Sequence, residues 1–269
     1  MQLVASRSPR QRGFTLTELA VVFVIMALLI GGAMITLSTR IEERNYNETQ
    51  RRLEAATEAV LAFAIVNKRL PCPARFTSAA SHSQGRESFC TGAIGACAGS
   101  ETLVVQPHGN CSNFYDGFLP AATLGVAPVA NDGFAVDPWS NRIRYAVTQN
   151  NTGCTTTPPA NTRVFTSQAN LKAYGVGCRP NDLDICTQAL CTTRVVSQQT
   201  AVFVVYSTGK NGALGPFGAD ETENTDGDAI FVSHTPSGSD STFGNYDDIV
   251  AWAPVGVVYS KLIAAGVLP

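Results

Sequence analysis

The chain has 269 residues, 45% of them hydrophobic and 15% charged, with 19 Lys and Arg against 21 Asp and Glu for a net charge of −2. That much apolar content excludes a globally disordered chain, and the missing basic surplus excludes general nucleic-acid binding. The balance is uneven along the chain. Residues 1–13 carry Arg7, Arg10 and Arg12 and no acid, and removing them leaves a net charge of −5. Eight of the 21 acids fall between Asp220 and Asp248.

An apolar run follows the basic segment. From Leu19 to Leu37 only Thr36 is polar. Nineteen such residues are long enough to span a bilayer as a helix. The preceding arginines favour a cytoplasmic N-terminus, which puts the remainder in the periplasm or outside. Glu18 breaks the pattern of a plain anchor, because a carboxylate in hydrocarbon costs about 2.5–3.5 kcal/mol and calls for a charged partner. A cleavable secretory signal is the competing reading, with Gly31-Gly32-Ala33 as its small-residue site. Against it, Thr17 and Glu18 interrupt the start of the apolar region, and the helical pattern continues past Ala33.

The segment Gly13-Phe14-Thr15-Leu16-Thr17-Glu18, followed by some twenty apolar residues, resembles the N-terminal signal of type IV pilins and type II secretion pseudopilins. The resemblance implies a 13-residue leader, removed by a prepilin peptidase between Gly13 and Phe14, and N-methylation of Phe14. It gives Glu18 the role of neutralising the N-terminal ammonium of a neighbouring subunit during assembly. The mature chain is then 256 residues. The proline that many type IV pilins carry near mature position 22 is missing: Ile35 stands there, and Gly31-Gly32 are the nearest helix weakeners.

Beyond the apolar run, Tyr46, Thr49, Leu53, Ala56, Val60 and Ala64 recur at three- and four-residue steps, one face of a helix. No Gly or Pro occurs from Ala33 to Leu70, so one helix is expected from Phe14 to about Asn67, apolar over 14–37 and amphipathic over 38–67. Glu48 and Arg52 read as an ordinary i,i+4 surface pair. Pro71-Cys72-Pro73 ends the helix.

Residues 68–269 read as a β domain with Cys-rich loops. Leu103–Gln106, Ile143–Thr148, Arg163–Thr166, Arg194–Val196, Ala201–Ser207, Ala229–Ser233 and Ile249–Trp252 are the strand candidates. Residues 254–265 fit a closing helix, with Pro254 at its start and Gly266 at its end. The fold class is therefore α+β: a long N-terminal helix on a small antiparallel sheet, as in pilins. All eight cysteines, Cys72, Cys90, Cys97, Cys111, Cys154, Cys178, Cys186 and Cys191, lie after the apolar run. An even count without C-x2-C spacing points to disulfides in an oxidising compartment rather than to zinc. Cys90–Cys97 and Cys186–Cys191 can close small loops, leaving Cys72–Cys111 and Cys154–Cys178, one of 105 possible connectivities.

Asp137-Pro138-Trp139-Ser140-Asn141 through Tyr145 is similar to the D-P-W-G-N-x-x-x-Y stretch of the major pseudopilins. Ser207 to Gly212, with Asp247-Asp248-Ile249 through Trp252, resembles their S-x-G-x-D-G … A-D-I-x-x-W calcium loop. Here 34 residues, Ala213 to Tyr246, separate the two halves. Residues 220–228 offer five carboxylates and Asn224 in what reads as a flexible loop. Asp220, Asp226, Asp228, Asp247 and Asp248 are the candidate Ca2+ ligands, against the plain alternative of a solvated acidic loop. No H-E-x-x-H, G-x-S-x-G or phosphate-loop spacing occurs and the three histidines are scattered, so no catalytic residue is assigned.

These readings converge on a structural subunit of a type II secretion pseudopilus, single-pass in the inner membrane with a periplasmic domain. Its implied partners are the prepilin peptidase, other pilin or pseudopilin subunits, the membrane and an inner-membrane assembly platform. The alternatives are a minor type IV pilin or adhesive subunit, exposed outside the cell, and a membrane-anchored periplasmic enzyme or receptor.

Overall fold

The computed structural model describes residues 14–75, 84–92, 97, 100–149, 154–156, 158, 162–212, 218–242 and 244–269, with the side chains of 32–38 set aside. Helix α1 runs Leu16–Asn67, in line with the uninterrupted run of helix-compatible residues. The described residues fall into two compact units, divided between Asn45 and Tyr46. Among the described residues no helix is long and apolar enough to cross a membrane. The expected span over 14–37 includes residues whose side chains lie outside the description, and the expected leader, 1–13 with Gly13, lies outside it altogether.

In the larger unit the second half of α1 turns one stripe inward: Thr49, Leu53, Ala56, Val60 and Ala64 are all buried. Two short strands, β1 (Phe89–Cys90) and β2 (Glu101–Thr102), pair antiparallel. Then come β3 (Gly117–Phe118), the single turn α2 (Ala121–Leu124), β4 (Arg144–Val147), α3 (Gln168–Tyr174), β5 (Asp184–Cys186) and β6 (Ala201–Ser207). The chain ends with α4 (Ala219–Glu223), β7 (Ile230–Val232), β8 (Ile249–Pro254) and α5 (Val255–Ala264). Strands β3-β4-β6-β8 make one antiparallel sheet. β6 is buried along its whole length, as a strand covered on both faces must be.

The two faces of β6 serve two cores. Phe203 and Val205 pack with Leu53, Ala56 and Val60 of α1 and with Val258 and Leu262 of α5. Val204 and Tyr206 pack with Leu183, Ile185 and Phe231. The second core is closed by β5 and β7, which pair parallel to each other. This parallel pair is an addition to the antiparallel sheet that the sequence leads one to expect. The chain passes through β6 and α4 between the two strands, and so returns in the same direction.

Several local expectations are corrected. Leu103–Gln106 forms no strand. Pairing stops at Thr102, whose hydroxyl accepts the Val104 N–H at 3.1 Å and turns the chain. Arg163–Thr166 joins no ladder; its apolar pair, Val164 and Phe165, plugs the first core instead. Its Phe165 carbonyl accepts the Leu70 N–H, and Ser167 caps α3. Arg194–Val196 contributes a single bridge, Cys186 to Arg194. Residues 220–228 are not all loop, because α4 buries Asp220 and Glu221. Arg52 does more than pair with Glu48: it also donates to the Val136 carbonyl at 2.9 Å, tying α1 to the turn that follows.

Four disulfides join Cys72–Cys111, Cys90–Cys97, Cys154–Cys178 and Cys186–Cys191, and no cysteine is free. These are the pairs the spacing suggested.

Candidate functional site

At the start of α1, Thr15 and Glu18 hold each other. The Thr15 N–H and hydroxyl donate to Glu18 Oε2 at 2.9 and 2.8 Å, and the Glu18 N–H donates back to Thr15 Oγ1 at 3.3 Å. This reciprocal capping box satisfies donors that the first helical turn leaves open. Glu18 therefore has a local partner within its own chain, three residues away, which the reading of it as a charge awaiting a neighbour had not foreseen. The side chains around it are exposed: Phe14 is 87% exposed, and Leu16, Phe23, Leu28 and Leu29 all exceed 60%. An apolar surface of this extent needs lipid or other apolar helices to cover it.

The second region lies in the larger unit, where the segments around residues 137, 207 and 247 meet. Asp137 is buried. Its Oδ1 accepts the N–H groups of Trp139 and Asn141, both at 2.9 Å, and its Oδ2 accepts the Ser207 hydroxyl at 2.6 Å. The Asn141 side-chain amide donates to the Gly209 carbonyl. Burial raises the Asp137 carboxyl above its ordinary range. Trp139 packs against the core that contains Leu53. Ser140, in the place of the Gly of the D-P-W-G-N stretch, takes the left-handed φ of 71° that favours glycine.

Asp247 Oδ2 accepts the N–H groups of Lys210 and Asn211 at 3.1 and 3.3 Å. Gly209 has φ 62°, and a Cβ there would lie 2.0 Å from Asp247 Oδ1, so this close approach admits only glycine. From the 34-residue insertion α4 brings Glu221. Its carboxylate accepts the Asn211 amide at 2.9 and 3.0 Å, the Asp247 N–H at 2.9 Å and the Gly218 N–H at 3.2 Å. Asn224, just after α4, donates to Asp248 Oδ2 at 2.8 Å and exchanges bonds with the backbone of Val232.

Glu221, Asp247 and Asp248 each offer a carboxylate oxygen within 4.8 Å of the others. Glu221 and Asp248 are buried. Asp247 Oδ1 and Asn211 Oδ1 are shut off from solvent with no hydrogen-bond partner. Burial pushes the Asp248 carboxyl up to about 8, and the charges of Glu221 and Asp247 add to the effect. Burial and then the Glu221 charge push Asp247 up to about 6. Crowded carboxylates with orphaned oxygens are a donor set that suits a hard cation.

The five aspartates named from sequence thus separate. Asp247 and Asp248 come together, joined by Glu221, which sequence reasoning passed over. Asp226 and Asp228 group instead with Glu223, exposed, and both cap their own turn: Asp226 accepts the Asp228 N–H and Asp228 the Ile230 N–H. Asp220 is in neither group. Its oxygens take the Ala189 N–H at 2.7 Å and His234 Nε2 at 3.1 Å, and the His234 ring stacks on Tyr246.

Residues 8–34 match the family model of the prokaryotic N-terminal methylation motif. The matched stretch contains Gly13, Phe14 and the Thr15–Glu18 cap. It indicates a pilin-like subunit, of a type IV pilus or of a secretion pseudopilus. The motif implies processing by a prepilin peptidase and assembly with other pilin subunits, and its family is structural rather than enzymatic. No curated protein and no solved structure shows significant similarity to the chain.

Proposed function

We propose that the chain is a subunit of a type II secretion pseudopilus. The observation that carries this reading is the methylation motif over residues 8–34 with Glu18 inside it. Support for the pseudopilus in particular comes from the segments at 137–145 and 207–252, similar to those of major pseudopilins. In this reading the precursor sits single-pass in the inner membrane, N-terminus inside, with its arginines on the cytoplasmic side. Its disulfide-bonded domain lies in the periplasm. The peptidase cuts between Gly13 and Phe14 and Phe14 is methylated. An assembly platform then brings the subunits together. Each Glu18 exchanges its hold on Thr15 for a neighbour's Phe14 ammonium, and the exposed apolar helices cover one another. Deleting the gene should abolish secretion of exported proteins while surface pili remain. Loss of pili with secretion intact would make it a minor type IV pilin instead.

A second reading concerns the acidic cluster. Ca2+ takes six to eight oxygens, and the side chains of Glu221, Asp247, Asp248 and Asn211 would hold it, with the orphaned Asp247 Oδ1 and Asn211 Oδ1 as the oxygens that gain most. Glu221 would supply the carboxylate that the family pattern has at the position of Asn211. Bound calcium would neutralise the three crowded acids and lock the insertion to the sheet. Saturation at 100 times Kd adds about 2.7 kcal/mol, a rise in Tm of about 5–10 °C at this size. Without cation, Asp247 and Asp248 bind more protons folded than unfolded, so their stability contribution is full below about pH 4 and is lost as pH rises through about 6 and about 8. The calcium-induced rise in Tm should therefore be larger at pH 8 than at pH 5, and Glu221→Gln should reduce it. An identical Tm in calcium and in excess chelator at pH 8 would remove the reading.

A further inference from the structure

Leu190 is 85% exposed, the most exposed large apolar side chain described after residue 45. It stands on a four-residue loop closed by the Cys186–Cys191 disulfide. The loop is fixed from within and below: the Cys191 N–H donates to the Gln188 carbonyl at 2.9 Å, and the Ala189 N–H donates to Asp220 Oδ1 at 2.7 Å. A leucine held out on a rigid loop loses little conformational entropy when it is covered, which is the usual design of a contact residue.

The same domain carries an apolar groove of about 340 Å³ lined by Val105, Pro107, Ala169 and the stems of Arg69, Gln168 and Lys172. Val104 and Val105 beside it are 68% and 52% exposed. The groove and Leu190 belong to opposite sides of the central sheet. Leu190 is on the loop that leaves β5, whose Ile185 packs with Val204 and Tyr206. The groove is built on α3, the 105–107 loop and the segment just after α1; Leu171 of α3 and Leu70 of that segment belong to the core that holds Phe203 and Val205. The charges also match. The neighbouring Ala189 is bonded to Asp220 of α4, the helix that ends at Glu223, and Glu223 groups with Asp226 and Asp228 just beyond it. The groove has exposed Lys172 on its rim and exposed Lys68 next to Arg69 in sequence.

A knob on one side and a hole on the other make a heterologous contact, and repetition of a contact that does not close produces a helical filament. We infer that Leu190 of one copy seats in the Val105–Pro107–Ala169 groove of the next, a contact between periplasmic domains in addition to the packing of their N-terminal helices. This rests on the filament reading above.

The test uses full-length protein co-expressed with its peptidase and assembly machinery. Leu190→Cys combined with Ala169→Cys should give an oxidation-dependent ladder of dimers and higher species, with the 190–169 peptide pair identified by mass spectrometry. Neither single variant should give it. Leu190→Asp should lower filament yield about ten-fold, as for loss of a contact hot spot, while the intact mass and Tm of the subunit stay as in the unaltered protein. Normal filaments from Leu190→Asp without a ladder from the paired variant would overturn this contact and leave the filament reading standing. Capture of Ala169→Cys by a different protein would also overturn it. A failure of the unaltered protein to form any filament would overturn both.

Discussion

Glu87→Ala is expected to destabilise the folded domain by about 3–5 kcal/mol. Arg69 and Glu87 form a buried, two-bond ion pair at 2.7 and 2.8 Å, with the arginine 5% and the glutamate 7% exposed. The guanidinium lies over the rings of Phe63 and Phe89, at 5.1 and 5.3 Å from their centres, and also donates to the Leu70 carbonyl. Glu87 Oε2 accepts the Cys72 N–H as well. The pair therefore ties the end of α1 to the first loop of the β domain. Removing the carboxylate strands a buried cation and an N–H donor together. Replacing both partners with apolar residues, Arg69→Met with Glu87→Leu, strands no charge and should recover most of the loss. Denaturant unfolding of the two variants beside the unaltered protein decides the matter, and a change under 1 kcal/mol for Glu87→Ala would contradict it.

Loss of the Cys72–Cys111 disulfide should cost a similar amount. The bond spans 39 residues, and the chain-entropy relation gives about 4 kcal/mol for a loop of that length. The same relation gives about 2 kcal/mol for Cys186–Cys191, which spans 5. The Cys72→Ala, Cys111→Ala variant should thus lose roughly twice as much as the Cys186→Ala, Cys191→Ala variant. Combined with Glu87→Ala, the first pair should fall short of additivity, because Cys72 and Glu87 share a hydrogen bond. Equal losses for the two pairs, or full additivity with Glu87→Ala, would show that the disulfide and the ion pair do not form one joint.

Much of this architecture is legible in the sequence because it rests on local patterns. The 3.6-residue stripe from Thr49 to Ala64 marks the buried side of α1 whatever it packs against. Seven residues of AVFVVYS define β6 because a strand covered on both faces needs no polar side. Cys90–Cys97 and Cys186–Cys191 pair as their spacing suggests because short loops leave few geometric choices. The chemistry of the acidic region was not legible in the same way. Glu221 lies in a run of acids that reads as solvated, and it becomes a buried member of the cluster only because Asn211 and the Asp247 backbone, 10 and 26 residues away, supply donors. Asp220, one residue earlier and equally acidic, turns to His234 instead. Valines at 104 and 105 suggest a strand, yet Thr102 ends the pairing before them. β-propensity describes a fit to a neighbouring strand, and among the described residues no such neighbour continues there.

The central claim is that Phe14 becomes the N-terminus and Glu18 the fifth residue of a filament subunit. The intact mass of the membrane-extracted protein, before and after reduction, tests this most directly. The account predicts the mass of residues 14–269 plus one methyl group, about 14 Da, with eight hydrogens gained when the four disulfides are reduced. A chain that begins at Met1, or after Ala33, would contradict it and leave an anchored or secreted domain in place of a filament subunit.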